Sequence, residues 1–169
     1  MEELKMRRII KNEYGKVLDL SWSGYQVLAD TVLNDFEIRK PITIVTHIYE
    51  DLCWECFSNY LKVAERYVNL FHSDSIQFVC IAYPRPVKEL QSALDLAHTD
   101  PTKVMVVYDS DDVYLSSNNI TKLKSGMNAF LIDRNHRIVL MGDPVRYDPM
   151  HDLYKKTIES LLENIETNL

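Results

Sequence analysis

Glycine is scarce in this chain of 169 residues, which contains only Gly15, Gly24, Gly126 and Gly142. A Walker-type phosphate loop and a G-x-G-x-x-G turn each need several glycines close together. No such group of glycines occurs anywhere in the sequence. Nucleotide-binding loops of these two kinds are therefore excluded.

Long apolar runs and an excess of positive charge are also lacking. No stretch reaches the roughly 18 apolar residues of a membrane span, and the opening MEELKMRRIIKNEYG lacks the apolar core of a secretory signal. We therefore expect a soluble chain that does not insert into a membrane. The 19 basic against 25 acidic residues give a formal charge of −6, so nothing attracts the chain generally to phosphate backbones, and we expect no nucleic-acid partner.

Cysteine is rare as well, with three residues in the chain. With 46% apolar residues, a chain of this length can bury a core without disulfides or metal. No linker-like or repeated segment divides it. We predict one compact unit, in which residues 41–169 form the domain and residues 1–40 form an N-terminal extension that packs on it.

Five apolar segments have the pattern of strands. ITIVTHIY (42–49), IQFVCIAY (76–83) and KVMVVY (103–108) are short, β-branched runs, as in strands that are covered on both faces. NAFLID (128–133) and RIVLMG (137–142) flank Arg134-Asn135-His136, which predicts a hairpin with Asn135 in the positive-φ position. GKVLDL (15–20) is a candidate edge strand.

Helical periods separate these strands. The first lies between the first two strands and predicts a buried stripe made of Phe57, Tyr60, Leu61, Ala64, Tyr67, Val68 and Phe71. A second helix is predicted to end near His98, and a third begins at Asp148 as its cap and Pro149 as its first residue. The order βαβαββα predicts an α/β fold in which a central mixed sheet is flanked by helices on both faces.

Cys53-Trp54-Glu55-Cys56 is the motif that carries chemistry. A C-x-x-C motif next to a βαβ pattern is a redox signature, and here it falls where the first helix begins. The helix N-terminus lowers the pKa of the Cys53 thiol, which makes Cys53 the nucleophile. Cys56 lies one turn deeper, close enough to form a disulfide, and is expected to be the more shielded, resolving thiol.

The neighbours of the motif predict its redox direction and its contacts. Glu50, Asp51 and Glu55 oppose thiolate formation, so the pair is expected to act as a reductant rather than a disulfide donor. Trp54 is either an exposed contact for substrate proteins or a ring that folds onto the domain.

Two further residues have alternative interpretations. His47 lies six residues before Cys53 and could exchange a proton with Cys56, or it could be a buried histidine without a catalytic part. Cys80 lies at the centre of a predicted strand and is expected to be an inert buried thiol.

The ordered segments ITIVTHIYEDLCWEC, IQFVCIAY and NAFLIDRNHRIVLMG resemble the thioredoxin superfamily, and within it the TlpA/ResA-like thiol–disulfide oxidoreductases and their peroxiredoxin relatives. The resemblance spans roughly residues 40–165. It implies a thioredoxin-like fold, Cys53 as nucleophile, Cys56 as resolving thiol, and a buried proton-exchanging group where this chain has His47.

The chain departs from that family in the loop before FLID. The family has a cis-proline there that contacts the C-x-x-C motif and the substrate, whereas this chain has Gly126-Met127. A cis bond before Met127 would cost about 3–4 kcal/mol, so a trans or rebuilt loop is expected. Gly126 and Met127, together with Trp54 and Glu55, are the predicted substrate contacts.

The resulting hypothesis is an enzyme that reduces disulfides in partner proteins, recharged by an upstream thiol reductant and without a cofactor. The alternative is a non-enzymatic thioredoxin-fold binding module whose C-x-x-C is structural or binds a metal. A peroxidase is a third hypothesis, although Glu50 stands where peroxiredoxins have threonine. The resemblance implies a bacterial cell envelope or periplasm, with a leader absent from this chain; the cytoplasm is the alternative.

Overall fold

The computed structural model describes residues 12–21, 24–34, 37–48, 53–82, 86–120, 129–146 and 148–167. In these ranges the chain folds as a mixed β-sheet with helices on both faces. The strands are β1 (Tyr25–Val27), β2 (Val32–Leu33), β3 (Ile42–Ile48), β4 (Ile76–Ala82), β5 (Val104–Tyr108), β6 (Ala129–Ile132) and β7 (Ile138–Met141). The helices are α1 (Trp54–Asn69), α2 (Val87–Ala97), α3 (Val113–Ser117) and α4 (Asp148–Glu166).

The strands follow the order β2-β1-β5-β4-β3-β6-β7 across the sheet. The central strands β3, β4 and β5 are parallel, and α1 and α2 connect them in sequence. Strands β6 and β7 continue the sheet antiparallel on one side, and β1 and β2 do so on the other. Because β3–β5 are parallel, their carboxyl ends share one edge of the sheet, and α1 begins beyond the end of β3.

Residues of the N-terminal segment join both edges of the sheet. Strands β1 and β2 were not predicted from the sequence. Strand β1 pairs with β5, for example Val27 with Val106, and β2 pairs with β1. At the opposite edge the predicted strand 15–20 is reduced to a bridge between Val17 and Arg137. Backbone hydrogen bonds such as Leu18 N–H to the His136 carbonyl, 2.9 Å, hold it beside β7.

One face of the sheet packs against α1, α2 and α4. The stripe predicted for α1 is confirmed, because six of its seven residues are buried and Phe71 is partly buried against them. Strand residues that point to this face include Ile44, Phe78 and Val106. These side chains fix α1, and therefore the cysteine motif that precedes it, over the carboxyl end of β3.

The other face packs against the short helix α3, which was not predicted from the sequence, and against Leu18. Successive side chains of a strand point to opposite faces. In β3, Val45 points to this second face, whereas Ile44 and Ile48 point to the α1 face. His47 therefore lies on the face that α3 covers.

The predicted hairpin of β6 and β7 is confirmed, but the predicted site of positive φ is wrong. His136, not Asn135, has a positive φ, of 58°. The reason is the side chain of Asp133, which accepts the backbone N–H groups of Asn135 and Arg137 at 2.8 and 3.0 Å. These bonds place the left-handed residue one position later than the sequence pattern suggests.

Candidate active site

Cys53 and Cys56 form a disulfide at the start of α1. Cys53 is the N-cap residue of the helix, as predicted, and its Cα lies 5.1 Å from that of Cys56. The backbone N–H of Cys56 points to Sγ of Cys53 at 3.1 Å. An N–H group of the first helical turn therefore faces the sulfur that would carry charge when the pair is reduced.

Both cysteines are exposed, and the resolving role expected for Cys56 stays a prediction. The physical reason for the exposure is the position of the buried stripe on α1, which begins at Phe57, after the first turn. All four residues of the motif therefore lie outside the core. Both residues of the disulfide are therefore accessible from solvent.

The two residues between the cysteines are also exposed. Trp54 has 45% of its surface accessible, so it is partly exposed beside Cys53, and its contact with substrate proteins stays a prediction. Glu55 stands in the first turn of α1, where its negative charge opposes a nearby thiolate. The predicted acidic neighbours Glu50 and Asp51, and the predicted substrate contacts Gly126 and Met127, lie outside the described residues.

His47 is buried at 1% exposure on the face opposite the α1 stripe. Its ring stacks on Tyr114 of α3 at 5.6 Å between centroids, and its Nε2 lies 3.5 Å from Oδ1 of Asp112. His47 thus packs against the segment that follows β5. Its exchange of a proton with Cys56 stays a prediction.

A buried polar pair that was not predicted from the sequence lies beneath α1. The Tyr60 hydroxyl donates to Oδ2 of Asp143 at 3.0 Å, and both residues are buried. Tyr60 follows Cys56 by one helical turn, on the same side of the helix. The sequence predicted that Tyr60 belongs to the buried stripe of α1. No pattern in the sequence predicted that Asp143, which follows β7, would contact this helix.

Gly142 turns the chain so that Asp143 reaches this place. Its φ is +126°, and a Cβ there would lie 2.9 Å from Cε of Met150 in α4. Its N–H donates to the Ala129 carbonyl at 2.8 Å, and Ala129 is the register partner of Thr46 near the end of β3. Asp143 therefore sits at the edge of the sheet from which the cysteine helix starts.

Three neighbouring groups stabilise the carboxylate of Asp143 besides Tyr60. Its Oδ1 accepts the N–H groups of Val145 and Arg146 at 2.8 and 3.3 Å, and Nε of Arg146 lies 3.6 Å from Oδ2. Arg146 also stacks over the Tyr60 ring, 5.2 Å from its centroid. Burial raises the pKa of Asp143, and these donors offset part of that effect.

Cys80 is the third thiol and is fully buried in β4, as expected. Cys80 lies near the buried Tyr60–Asp143 pair. Burial and the nearby negative charge of Asp143 raise the pKa of its thiol well above the usual value. At neutral pH it is a neutral thiol. The chemistry of the motif therefore belongs to Cys53 and Cys56.

Two features that bear on the alternatives are missing from the described ranges. No group of three or more His, Cys, Asp or Glu residues in those ranges is placed to hold a metal ion. Among the described helices, none has the length and apolar character needed to cross a membrane.

The fold resembles those of several solved proteins, whereas no protein-family model and no curated protein matches the chain. A variant of PrxQ from Xylella fastidiosa superposes with a TM-score of 0.62 at 16% identity, over 87% of this chain and 96% of that one. The thioredoxin domain of a thiol-disulfide oxidoreductase from Bacteroides vulgatus gives 0.54 at 19% identity, over 83% and 96%. A candidate thiol:disulfide interchange protein DsbE from Chlorobium tepidum gives 0.53 at 14% identity, over 86% and 98%. The chain has a thioredoxin-like fold, as the sequence predicted.

Proposed function

We propose that this protein is a thiol–disulfide oxidoreductase that reduces disulfides in partner proteins through Cys53 and Cys56. The observation that carries the proposal is the exposed disulfide at the N-terminus of α1, where Cys53 is the N-cap. The fold supports it, because solved proteins of this fold include one named as a thiol-disulfide oxidoreductase and one named as a candidate disulfide interchange protein.

The reaction proceeds in two exchanges once the pair is reduced. The Cys53 thiolate attacks one sulfur of a partner disulfide, a bond forms between Cys53 and that sulfur, and the other partner sulfur leaves as a thiolate. Cys56 then loses its proton to water and attacks Sγ of Cys53. The Cys53–Cys56 bond forms again, and the second partner sulfur leaves as a thiolate.

Geometry near the start of α1 favours Cys53 as the first attacking sulfur. An N-cap sulfur faces the unpaired N–H groups of the first turn, and the N–H of Cys56 already lies 3.1 Å from it. Such groups stabilise negative charge and lower the pKa of a thiol. Exposure then leaves this sulfur open to a disulfide of a partner protein.

Reduction of insulin by dithiothreitol tests the activity. The wild-type protein is expected to accelerate insulin precipitation, and Cys53→Ser is expected to abolish the acceleration. Cys80→Ser is the control for loss of a thiol elsewhere, and it should retain the activity because Cys80 is buried away from solvent. Equal rates with and without the wild-type protein would refute the proposal.

Partner proteins are expected to contact the exposed residues of the motif. Trp54 offers an apolar ring beside Cys53, and the predicted contacts Glu55, Gly126 and Met127 complete the proposed surface. Trp54→Ala is expected to raise the KM for a protein disulfide several-fold while the rate with a small disulfide stays within twofold. The equally exposed Leu153→Ala, on α4, is a control.

The proposed direction is reduction, with an upstream dithiol as donor. Glu55 opposes the thiolate, which makes the pair less oxidising. The proposed setting is the bacterial cell envelope, with the cytoplasm as the alternative, and fractionation of the native host would decide between them.

A peroxidase is the competing activity, because solved structures of the same fold include PrxQ from Xylella fastidiosa and a 2-cys peroxiredoxin from Plasmodium falciparum. Peroxide consumption separates the two. The proposed oxidoreductase should consume hydrogen peroxide no faster than free cysteine does, whereas faster consumption that disappears in Cys53→Ser would favour a peroxidase.

A further inference from the structure

Asp143 lies in a position from which its charge can act on the reactive cysteines. It is bonded to Tyr60 at 3.0 Å, and Tyr60 follows Cys56 by four residues on α1. Four residues correspond to roughly 6 Å along a helix axis. A buried carboxylate is thus fixed beneath the turns of α1 that follow the disulfide.

This carboxylate is screened little by water. Asp143 is only 3% exposed, whereas Glu55, the other described acidic residue close to the sulfurs, stands in solvent. Charges act more strongly on one another through the protein interior than through water, in which salt and solvent weaken them. Of these two described acidic residues, Asp143 is therefore the one whose charge should matter more to a thiolate at this end of α1.

None of the described ionisable groups that face Asp143 changes its charge as the pH rises from acid to neutral. Tyr60 of α1, Cys80 of β4 and Tyr154 of α4 all have pKa values raised well above the usual range by burial, so they stay neutral. Arg146, after β7, stays positive and pairs with the carboxylate. Among the described neighbours, Asp143 alone passes from neutral to charged as the pH rises from acid.

We propose that Asp143 is a positioning residue of the cysteine pair: acting from beneath Tyr60, its carboxylate opposes thiolate formation at Cys53 and Cys56 and keeps the pair reducing. This inference rests on the proposed function. A disulfide is easier to reduce when its dithiol is stabilised as thiolate, so a buried negative charge that disfavours the thiolate makes the dithiol a better electron donor.

Charge and protons balance in the step that this residue influences. An external dithiol gives two electrons to the Cys53–Cys56 bond and becomes a disulfide, and its two protons are released. One proton is bound by Cys56 as a thiol. When Cys53 remains a thiolate, the second proton is bound by Asp143 or by solvent. If Asp143 binds it, one negative charge lies near the start of α1 in both redox states. That charge is the Asp143 carboxylate in the oxidised protein and the Cys53 thiolate in the reduced protein.

The test compares two variants that reduce this charge with one control variant. Asp143→Asn removes the charge and keeps the shape. Tyr60→Phe removes the hydroxyl that stabilises the charged form, so Asp143 should hold its proton to higher pH. Tyr67→Phe is the matched control, because Tyr67 lies on the same helix and donates a hydroxyl hydrogen bond of 3.0 Å to the His151 carbonyl, away from Asp143.

Two measurements are made on each variant. The first is the rate of alkylation of the reduced protein by iodoacetamide from pH 5 to 9, read by mass spectrometry at Cys53 and Cys56. The second is the equilibrium of the disulfide with reduced and oxidised dithiothreitol at pH 7.5, trapped by acid and read in the same way.

Asp143→Asn is expected to increase the alkylation rate at pH 7 at least threefold and to shift the disulfide equilibrium towards the dithiol at least threefold. Tyr60→Phe should change both in the same direction by less, and Tyr67→Phe should change neither by more than 1.5-fold. A purely structural role of Asp143 would lower stability without this ordered, signed pattern.

The inference fails if Asp143→Asn, folded by circular dichroism, matches the wild type in both measurements. It fails likewise if Tyr67→Phe has the same effect as Tyr60→Phe. The proposed function fails separately, if the wild-type protein does not reduce insulin. The alkylation profile reads the effect of Asp143 in that case too, because it needs only the reduced thiols.

Discussion

Tyr60 and Asp143 lie 83 residues apart in the chain, yet the hydroxyl of one donates to the carboxylate of the other at 3.0 Å. The bond joins the reactive helix α1 to the turn after the last strand. It crosses the core beneath the disulfide. The bond therefore connects the stability of the fold to the protonation of Asp143.

Asp143→Asn should change how the stability of the protein depends on pH. Burial raises the pKa of Asp143 above its ordinary value of 3.8, so the folded state holds this proton more tightly than the unfolded state. Folding is then favoured by this group below pH 3.8, and the contribution is lost as the pH rises through the raised pKa. A tenfold difference in proton affinity between the folded and unfolded states corresponds to about 1.4 kcal/mol of stability.

Urea unfolding of the wild type and of Asp143→Asn, at steps between pH 3.5 and 7.5, measures this effect. The free energy of unfolding of the wild type minus that of the variant should fall as the pH rises through the window that starts near 3.8. The subtraction cancels the contributions of the carboxylates that both proteins share to the free energy of unfolding. A difference that rises with pH would mean that Asp143 is charged at lower pH in the folded state than in the unfolded one.

Cys56→Ser should trap partner proteins. The variant keeps the N-cap sulfur of Cys53 but lacks the group that releases the mixed disulfide. We expect covalent adducts that appear on non-reducing gels and vanish with dithiothreitol. Cys53→Ser is the control and should trap at least tenfold less, since its remaining cysteine lies within the helix rather than at the cap; equal trapping by the two variants would reverse the assigned roles.

Cys80 should be silent in the native protein. Its side chain is fully buried, and burial raises the pKa of its thiol. After reduction and removal of the reductant, 5,5′-dithiobis(2-nitrobenzoate) should react rapidly at Cys53 and Cys56, and at Cys80 only after unfolding in guanidinium chloride. A Cys80→Ala variant should keep the rapid reaction and lose only the reaction that appears after unfolding. Rapid reaction of Cys80 in the folded protein would show that this part of the core opens readily.

Asp109→Ala should destabilise the segment that covers His47. The Asp109 carboxylate accepts the N–H groups of Val113 and Tyr114, each at 2.9 Å, and the residue is 1% exposed. Loss of these bonds leaves one buried and one partly buried N–H donor without its partner, at about 1–3 kcal/mol. Chemical denaturation measures the loss; Asp111→Ala, at an exposed position nearby, is the control and should stay within about 0.5 kcal/mol of the wild type.

Local patterns predicted much of the fold. The α1 stripe from Phe57 to Val68 and the apolar runs that became β3 and β4 each follow a period that belongs to one kind of structure. The N-cap position of Cys53 followed in the same way from where a strand ends and a helix begins. Strands β1 and β2 escaped prediction because they have three and two residues, too few to establish a period.

The sequence by itself determined the pair of sulfurs, their spacing of one helical turn, and the order of strands β3–β7 with helices α1, α2 and α4, because these depend on residues that are neighbours in the chain. Only the tertiary structure decided that Cys56 is exposed, that His47 packs against Tyr114, and that Asp143 lies beneath α1. Burial and charge are properties of the assembled sheet and its helices. The residues that surround a group in space, most of them distant in sequence, fix its exposure and its electrostatic environment.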